Sequence, residues 1–285
     1  MGPPDWRPLE LDKWTQKFGE ALRAWRFCFA IPILLAVSCD KKLLIGECGP
    51  AEHPVPDGGD ADSGSVKPGV PMPWTSGFET GFCEFARAGG FCLQTGSASY
   101  ALVTSPVHSG TFAAAFTVVS DENNPGYQSR CVRQGTFPQS AYYGAWFYVR
   151  STTIETGIWD LFYFQGRNSG QNEHGLWNVL LAEDGNGQLQ VSVVNLLNNS
   201  TPDLTSATPI PIETWFHLEF YYKRASDSTG EVALYQGDQE VLHLTALQTD
   251  DTQWGQWYVG SYATGLAPSP TTVFVDDVTI RESRQ

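Results

Sequence analysis

Five residues in two alternating apolar runs are of the types that hold sugars, and their spacing is the first chemical signal in this chain. In the run YGAWFYV (143–149), strand parity sends Ala145, Phe147 and Val149 to one side and Gly144, Trp146 and Tyr148 to the other. In IWDLFYFQ (158–165), Ile158, Phe162 and Phe164 form an apolar side, which Asp160 would have to share, while Trp159, Leu161, Tyr163 and Gln165 point away. If both strands lie in one sheet, Trp146, Tyr148, Trp159 and Tyr163 make an aromatic floor edged by Gln165 and Asn178. Such a floor suits a saccharide, whose C–H faces lie on rings while amides reach its hydroxyls. Aromatic residues are also enriched in strands for β-propensity alone, so the pattern has a purely structural reading as well.

Other chemistry is thinly represented. There is no His-Glu-x-x-His, no Gly-x-Ser-x-Gly and no phosphate-cradling glycine loop with its Lys. The five histidines are scattered. Lys and Arg total 17 against 31 Asp and Glu, a net charge of −14. Nucleic acid, which needs a cationic footprint, is therefore a poor partner. Aromatic residues make up 13% and charged residues 17%, a balance that excludes a disordered solvating chain and promises a large core.

The elements that must position these residues begin well into the chain. Residues 27–39 read FCFAIPILLAVSC, an apolar run of 13 preceded by Arg23 and Arg26, as in a secretory signal. The ending LAVSC resembles the lipobox of bacterial lipoproteins, although Leu35 stands one place further from Cys39 than is usual there. The resemblance implies cleavage before Cys39, acylation of its thiol, and an exported protein anchored to the cell-envelope membrane. An ordinary cleaved signal is the alternative. Residues 1–39 are thus an extension and signal segment. Residues 40–73 contain no aromatic residue, and 11 of the 25 positions from Gly49 to Pro73 are Gly or Pro, a composition that predicts a disordered linker.

From Trp74 the texture changes, and residues 74–285 hold seven of the ten Trp. Short alternating runs recur at 143–149, 159–165, 188–194, 216–223, 231–236, 239–244 and 272–280, separated by clusters such as Asp184-Gly185-Asn186-Gly187. Gly237-Asp238, between two of them, predicts a two-residue hairpin turn. Many short strands with little helical periodicity predict an all-β, antiparallel β-sandwich or barrel.

The segments GFETG (77–81), TSPVHSGTFA (104–113), TWFHLEFYYK (214–223), WYVGSYATGL (257–266) and VFVDDVTI (273–280), in this order, resemble the concanavalin A-like lectin/glucanase superfamily, with laminin-G-like domains and polysaccharide-lyase-like jelly rolls closest in texture. The resemblance covers nearly all of residues 76–282. It implies a jelly roll of two stacked sheets with a glycan on the concave one. It also implies a structural calcium ion held where the first and last strands meet, with Glu79 and Asp276 as ligands and Asp277 as the alternative; calcium takes six to eight oxygens, so carbonyls and water would complete the shell. Lyases of this fold use Tyr or His as base beside cationic groups, roles that Tyr163, His174, Arg130 and Arg133 could fill. The glucanases of the superfamily carry Glu-x-Asp-x-x-Glu on one strand, a run absent here.

Of the six cysteines, Cys48, Cys83, Cys92 and Cys131 remain after the signal segment, and an even number in an exported chain suggests disulfides. Three pairings exist. The short local loop favours Cys83–Cys92, with Cys48 and Cys131 paired or free.

Residues 74–285 carry 9 basic and 21 acidic groups, which would repel an anionic polymer at long range. On that ground the sequence favours a non-catalytic, envelope-anchored module that binds a mainly neutral polysaccharide or glycoconjugate through the aromatic face. Its rivals are a polysaccharide lyase, ahead of a glycoside hydrolase, and a laminin-G-like adhesion domain that binds protein.

Overall fold

The computed structural model describes residues 72–119, 127–155, 157–168, 170–197 and 204–284. The signal segment, Cys39 and residues 40–71 of the linker lie outside the described residues. Seventeen strands and one short helix, α1 (Cys83–Arg87), make up the described elements; the strands run from β1 (Trp74–Ser76) through β2 (Phe91–Gln94), β3 (Ser99–Val103), β4 (Ala113–Val118), β10 (Leu189–Asn195) and β11 (Leu204–Pro209) to β17 (Thr271–Arg281). As the alternating runs predict, the architecture is an antiparallel β-sandwich.

One sheet has the order β14-β13-β12-β6-β17-β4-β3, with β1 also paired to β17. Its central members are β6 (Ser140–Val149), β12 (Phe216–Lys223) and β17. The other has the order β11-β10-β9-β8-β15-β5-β2. It is built around β5 (Tyr127–Gly135), β8 (Trp159–Arg167), β9 (His174–Glu183) and β15 (Trp254–Ala263). The predicted hairpin joins β13 (Gly230–Gln236) to β14 (Gln239–Leu247), with Gly237 at φ 59°. That left-handed conformation costs a glycine little.

Between the sheets lies an aromatic core. Phe147 meets Phe162 at a ring-centroid distance of 5.3 Å, and Tyr143 meets Phe164 and Trp257 at 5.1 Å each. A second, separate apolar cluster of Val132, Tyr163 and Tyr258, edged by Phe91, Leu93 and Leu196, covers the outer face of the seven-stranded sheet. Side chains from both faces of that sheet are thus packed.

The disulfide differs from the sequence expectation. Cys92 is bonded to Cys131, 39 residues away, and not to Cys83, which is disulfide-bonded elsewhere. The reason is register: β2 (Phe91–Gln94) pairs with β5, which sets Cys92 directly opposite Cys131 with their Cα atoms 3.9 Å apart. Sequence proximity carried no information about that pairing.

Candidate active site

The aromatic floor expected from strand parity does not form, because its two strands belong to different sheets. β6 lies in the eight-stranded sheet and β8 in the seven-stranded one. Trp146 and Tyr148 face outward from the former. Trp146 has His108 stacked on it at 3.8 Å, and Tyr148 meets Trp215 and Phe274 edge-on at 5.7 and 5.8 Å. Trp159 is fully buried in the core, where its indole N–H donates to Ser261 Oγ at 3.0 Å. A β-bulge explains the error. The register of β8 against β9 shifts between Asp160 and Phe162, so Trp159 and Leu161 turn inward beside Phe162, and Asp160 escapes to the outer face. The misfit of an acid on the apolar side of the 158–165 run was the signal of this bulge.

Tyr163, Gln165 and Asn178 do share the outer face of the seven-stranded sheet, and they meet there with Arg130, expected as a lyase cation, and with Tyr258, Tyr262 and Gln256, which were not expected. At the centre is Arg130 of β5, 8% exposed. Its guanidinium carbon lies 4.4 Å from the ring centroid of Tyr258, 5.3 Å from that of Tyr262 and 5.5 Å from that of Tyr163. Cation–π attraction of this kind strengthens as water is excluded. Gln128 Oε1 accepts from Arg130 Nε at 3.1 Å and also from its Nη2. Burial lowers the pKa of Arg130, and the nearby Asp160 carboxylate works against that shift. Room for the guanidinium's strand comes from Gly260 (φ 139°), where a Cβ would stand 2.7 Å from Ser129 O and 2.9 Å from the Arg130 Cα.

Asp160, 4% exposed, accepts from Asn178 Nδ2 at 2.8 Å. Burial pushes its pKa up to about 7, with the Asn178 hydrogen bond and Arg130 opposing the rise. The other amide oxygen end of Asn178, Oδ1, is buried without a protein partner. Burial likewise raises the phenol of Tyr163, and that of Tyr258 to about 12. Tyr258 is tied down: its hydroxyl donates to Gln256 Oε1 and accepts from Gln165 Nε2 at 2.8 Å. Gln165 Nε2 also donates to Glu173 Oε2 at 3.0 Å, and Gln256 Nε2 to Gln134 Oε1 at 3.0 Å. The Tyr163 hydroxyl is pressed against the Gly175 backbone, 2.7 Å from where a Cβ there would be. Of the three rings around Arg130, Tyr262 is the least buried.

Two residues considered for the same chemistry are elsewhere. Arg133 has the opposite parity to Arg130 on β5 and turns inward, its guanidinium 4.6 Å from the Trp74 ring centroid and donating to Ala88 O. His174 pairs with Asp251 at 2.9 Å.

What this arrangement offers is a desolvated cation beside ionisable phenols, the equipment for neutralising a carboxylate and moving a proton next to it. The family model for polysaccharide lyases matches residues 75–279. This chain belongs to the polysaccharide lyase family. No curated protein matches its sequence. Among solved structures the lyase is similar to endo-β-1,4-glucuronan lyase from the fungus Trichoderma reesei, with 17% identity, a TM-score of 0.51, and 68% of this chain and 90% of that one covered. It is also similar to a mutant of alginate lyase Aly36B in complex with alginate trisaccharide (12% identity, TM-score 0.51, 75% and 100% covered). The cellulose-induced protein Cip1 is a third (12%, TM-score 0.50, 74% and 98% covered). At these identities the likeness is one of fold.

The family corrects the reading as a non-catalytic module for neutral glycans. The charge argument behind that reading was sound only at long range. Net charge sets the distant field, whereas local attraction for a carboxylate is set by single groups such as the guanidinium that the sheet desolvates.

The expected calcium ligands are brought together, but as hydrogen-bond acceptors. Glu79 Oε1 accepts from the N–H groups of Thr111 and Phe112 at 2.8 and 3.0 Å, which hold its carboxyl below the usual range. Asp276 Oδ2 accepts from His108 N–H and Ser109 N–H at 3.0 and 3.1 Å, and its Oδ1 from Asp277 N–H at 2.8 Å. Asp277 bonds Ser109 Oγ at 2.9 Å and His108 Nδ1 at 2.7 Å. Among the described residues no group of three or more His, Cys, Asp or Glu side chains is arranged to hold a metal ion. N–H donors thus already occupy Glu79 Oε1 and both oxygens of Asp276, lone pairs that a calcium cage would need.

Asp160 gives the lyase a distinctive pH dependence. Its pKa is near 3.8 when unfolded and about 7 when folded, so the folded state retains a proton that the unfolded chain loses. The stability this adds is complete below about pH 4 and is lost as pH rises towards 7, by up to roughly 4 kcal/mol. Asp160→Asn keeps an acceptor for Asn178 and removes the titration. Its melting temperature should exceed the parent's at pH 8, on the order of 5 °C or more, and the gap should close near pH 4.5. Parallel melting curves across that range would contradict the assignment.

Proposed function

We propose that the lyase cleaves a uronate-containing polysaccharide by β-elimination on the outer face of the seven-stranded sheet. The observation that carries this reading is the buried Arg130 ringed by Tyr163, Tyr258 and Tyr262. A uronate carboxylate seated on Arg130 is neutralised, which acidifies the adjacent C5–H; a fixed cation in a dry site is worth far more than in water. We assign proton transfer to Tyr262, whose side chain is the least buried of the three and stands beside the Arg130 guanidinium. As phenolate, Tyr262 takes the C5 proton. The C5–H electron pair forms the C4=C5 double bond, the C4–O bond breaks, and the departing oxygen takes the proton back from the phenol. Tyr163 and Tyr258 are positioning residues that fix Arg130. Asn178 Oδ1 offers a buried acceptor for a sugar hydroxyl. Incubation with uronate polymers should release unsaturated, ultraviolet-absorbing chain ends; saturated ends, or intact chains from every uronate polymer, would overturn the reading.

Two further expectations belong to this proposal. Export and anchoring through Cys39 account for a lyase held at the bacterial envelope on a Gly/Pro-rich tether, where polysaccharide is met. Radiolabelled palmitate should enter the wild-type chain and not Cys39→Ser; equal labelling would exclude the anchor. The Glu79–Asp276–Asp277 cluster acts as a hydrogen-bonded fastening of the loop before β4 onto β17. Its function needs no ion, so chelation with EDTA should leave the melting temperature within about 1 °C, whereas a larger fall reversed by calcium would mean a bound cation stabilises the fold.

A further inference from the structure

This inference rests on the lyase reading and narrows its substrate. A polyuronate presents a carboxylate on every sugar, so a groove that binds one must neutralise several in a row. Residues 74–285 contain nine Lys and Arg, and each has a place. Arg87 lies on α1, and Arg133 is turned inward beneath Trp74. Lys223 and Arg281 belong to strands of the other sheet, where Arg150 lies over Phe274 and Arg284 over Tyr235. Arg224 is committed to Asp250 at 2.6 Å and to the carbonyls of Phe137 and Thr252. Of the nine, Arg130 and Arg167 are the two that strand register places on the outer face of the seven-stranded sheet.

These two are far apart. Successive outward rungs across β5, β15 and β8 run Arg130 with Gly260, then Tyr258 with Tyr163, then Gln256 with Gln165, then Trp254 with Arg167. Three rungs correspond to about 20 Å along the strands. The guanidinium of Arg167 is moreover laid on the Trp254 ring at 4.7 Å.

The groups nearest Arg130 have the wrong sign for a second carboxylate. Asp160 shares the rung of Tyr262 on one side. On the other, the amide row ends in the exposed carboxylate of Glu173. Nor do the amides offer donors. Gln165 Nε2 is spent on Glu173, Gln256 and Tyr258, and Gln256 Nε2 on Gln134. The segments 120–126 and 198–203 contribute Asp121, Glu122 and Asp203 to the sequence and no Lys or Arg.

We propose that the substrate is a heteropolysaccharide in which single uronates are separated by neutral sugars: one uronate sits on Arg130, uncharged units sit beside Asp160 and Glu173, and polyuronates are disfavoured.

The test measures binding with the full-length Tyr262→Phe chain, so that affinity is read apart from turnover, and cleavage with the parent chain. The probes are polyglucuronate and alginate on one side and hyaluronan, in which glucuronate alternates with an uncharged amino sugar derivative, on the other. At low ionic strength hyaluronan should bind at least about tenfold more tightly. Added salt should strengthen polyuronate binding and narrow the gap, because it screens a repulsion. Glu173→Gln should narrow it as well. Equal or tighter polyuronate binding that weakens with salt overturns the proposal, as does failure of hyaluronan to bind. The two readings fail separately. Preference for hyaluronan without unsaturated ends from any polymer removes the lyase chemistry and leaves the charge selection, whereas rapid cleavage of tightly bound polyuronate does the reverse.

Discussion

Arg130→Ala should lower kcat/KM on a uronate polymer by about a thousandfold or more, the scale of losing a preorganised electrostatic partner from a dry site. No other cation can substitute. Arg133 points into the core beneath Trp74, and Arg167 is three rungs away on Trp254. Arg130→Lys should recover little, because an ammonium cannot reproduce a planar fork that lies over Tyr258 at 4.4 Å while it bonds Gln128 through two nitrogens. Deleting a buried charge also unbalances Asp160, so each variant needs its near-ultraviolet circular dichroism compared with the parent's. A folded Arg130→Ala chain within tenfold of parental activity would mean the carboxylate is neutralised elsewhere.

Tyr262→Phe should lower kcat by about a hundred- to ten-thousandfold with KM nearly unchanged, the range expected when a proton-transferring group is removed and the ring that contacts the sugar stays. The same change at Tyr258 removes a hydroxyl already engaged with Gln256 and Gln165, and at Tyr163 one packed against Gly175. Those variants should keep kcat within about tenfold, as positioning residues do, and should shift KM instead. An alkaline limb in the pH–rate profile should persist in Tyr163→Phe and Tyr258→Phe. Loss of that limb in Tyr163→Phe, with Tyr262→Phe fully active, would move the proton transfer to Tyr163.

Much of the fold was legible because a half-buried strand must alternate. The runs at 216–223, 231–236 and 239–244 all form strands, and Gly237 makes the turn its left-handed freedom suggested. The site was legible only in part. Tyr163, Gln165 and Asn178 share one outer face with Arg130, which the resemblance had offered as a lyase cation. Tyr258 and Tyr262 stood in the quoted WYVGSYATGL segment, and alternation from Gln256 to Tyr258 was there to be read. Trp159 was misplaced because parity counting assumes an unbroken pleat, and the bulge between Asp160 and Phe162 breaks it.

Composition and periodicity therefore determined the class of fold, the strands and the hairpin, since these follow from local backbone preference and from the need to bury one face. Tertiary structure alone decided which strands share a sheet, where a bulge reverses inside and outside, and which cysteine stands opposite Cys92. It also set one of the domain's nine basic residues, Arg130, among three tyrosines. Pairing register joins residues that are distant in the chain, and burial converts an ordinary guanidinium, on a domain of net negative charge, into a desolvated cation.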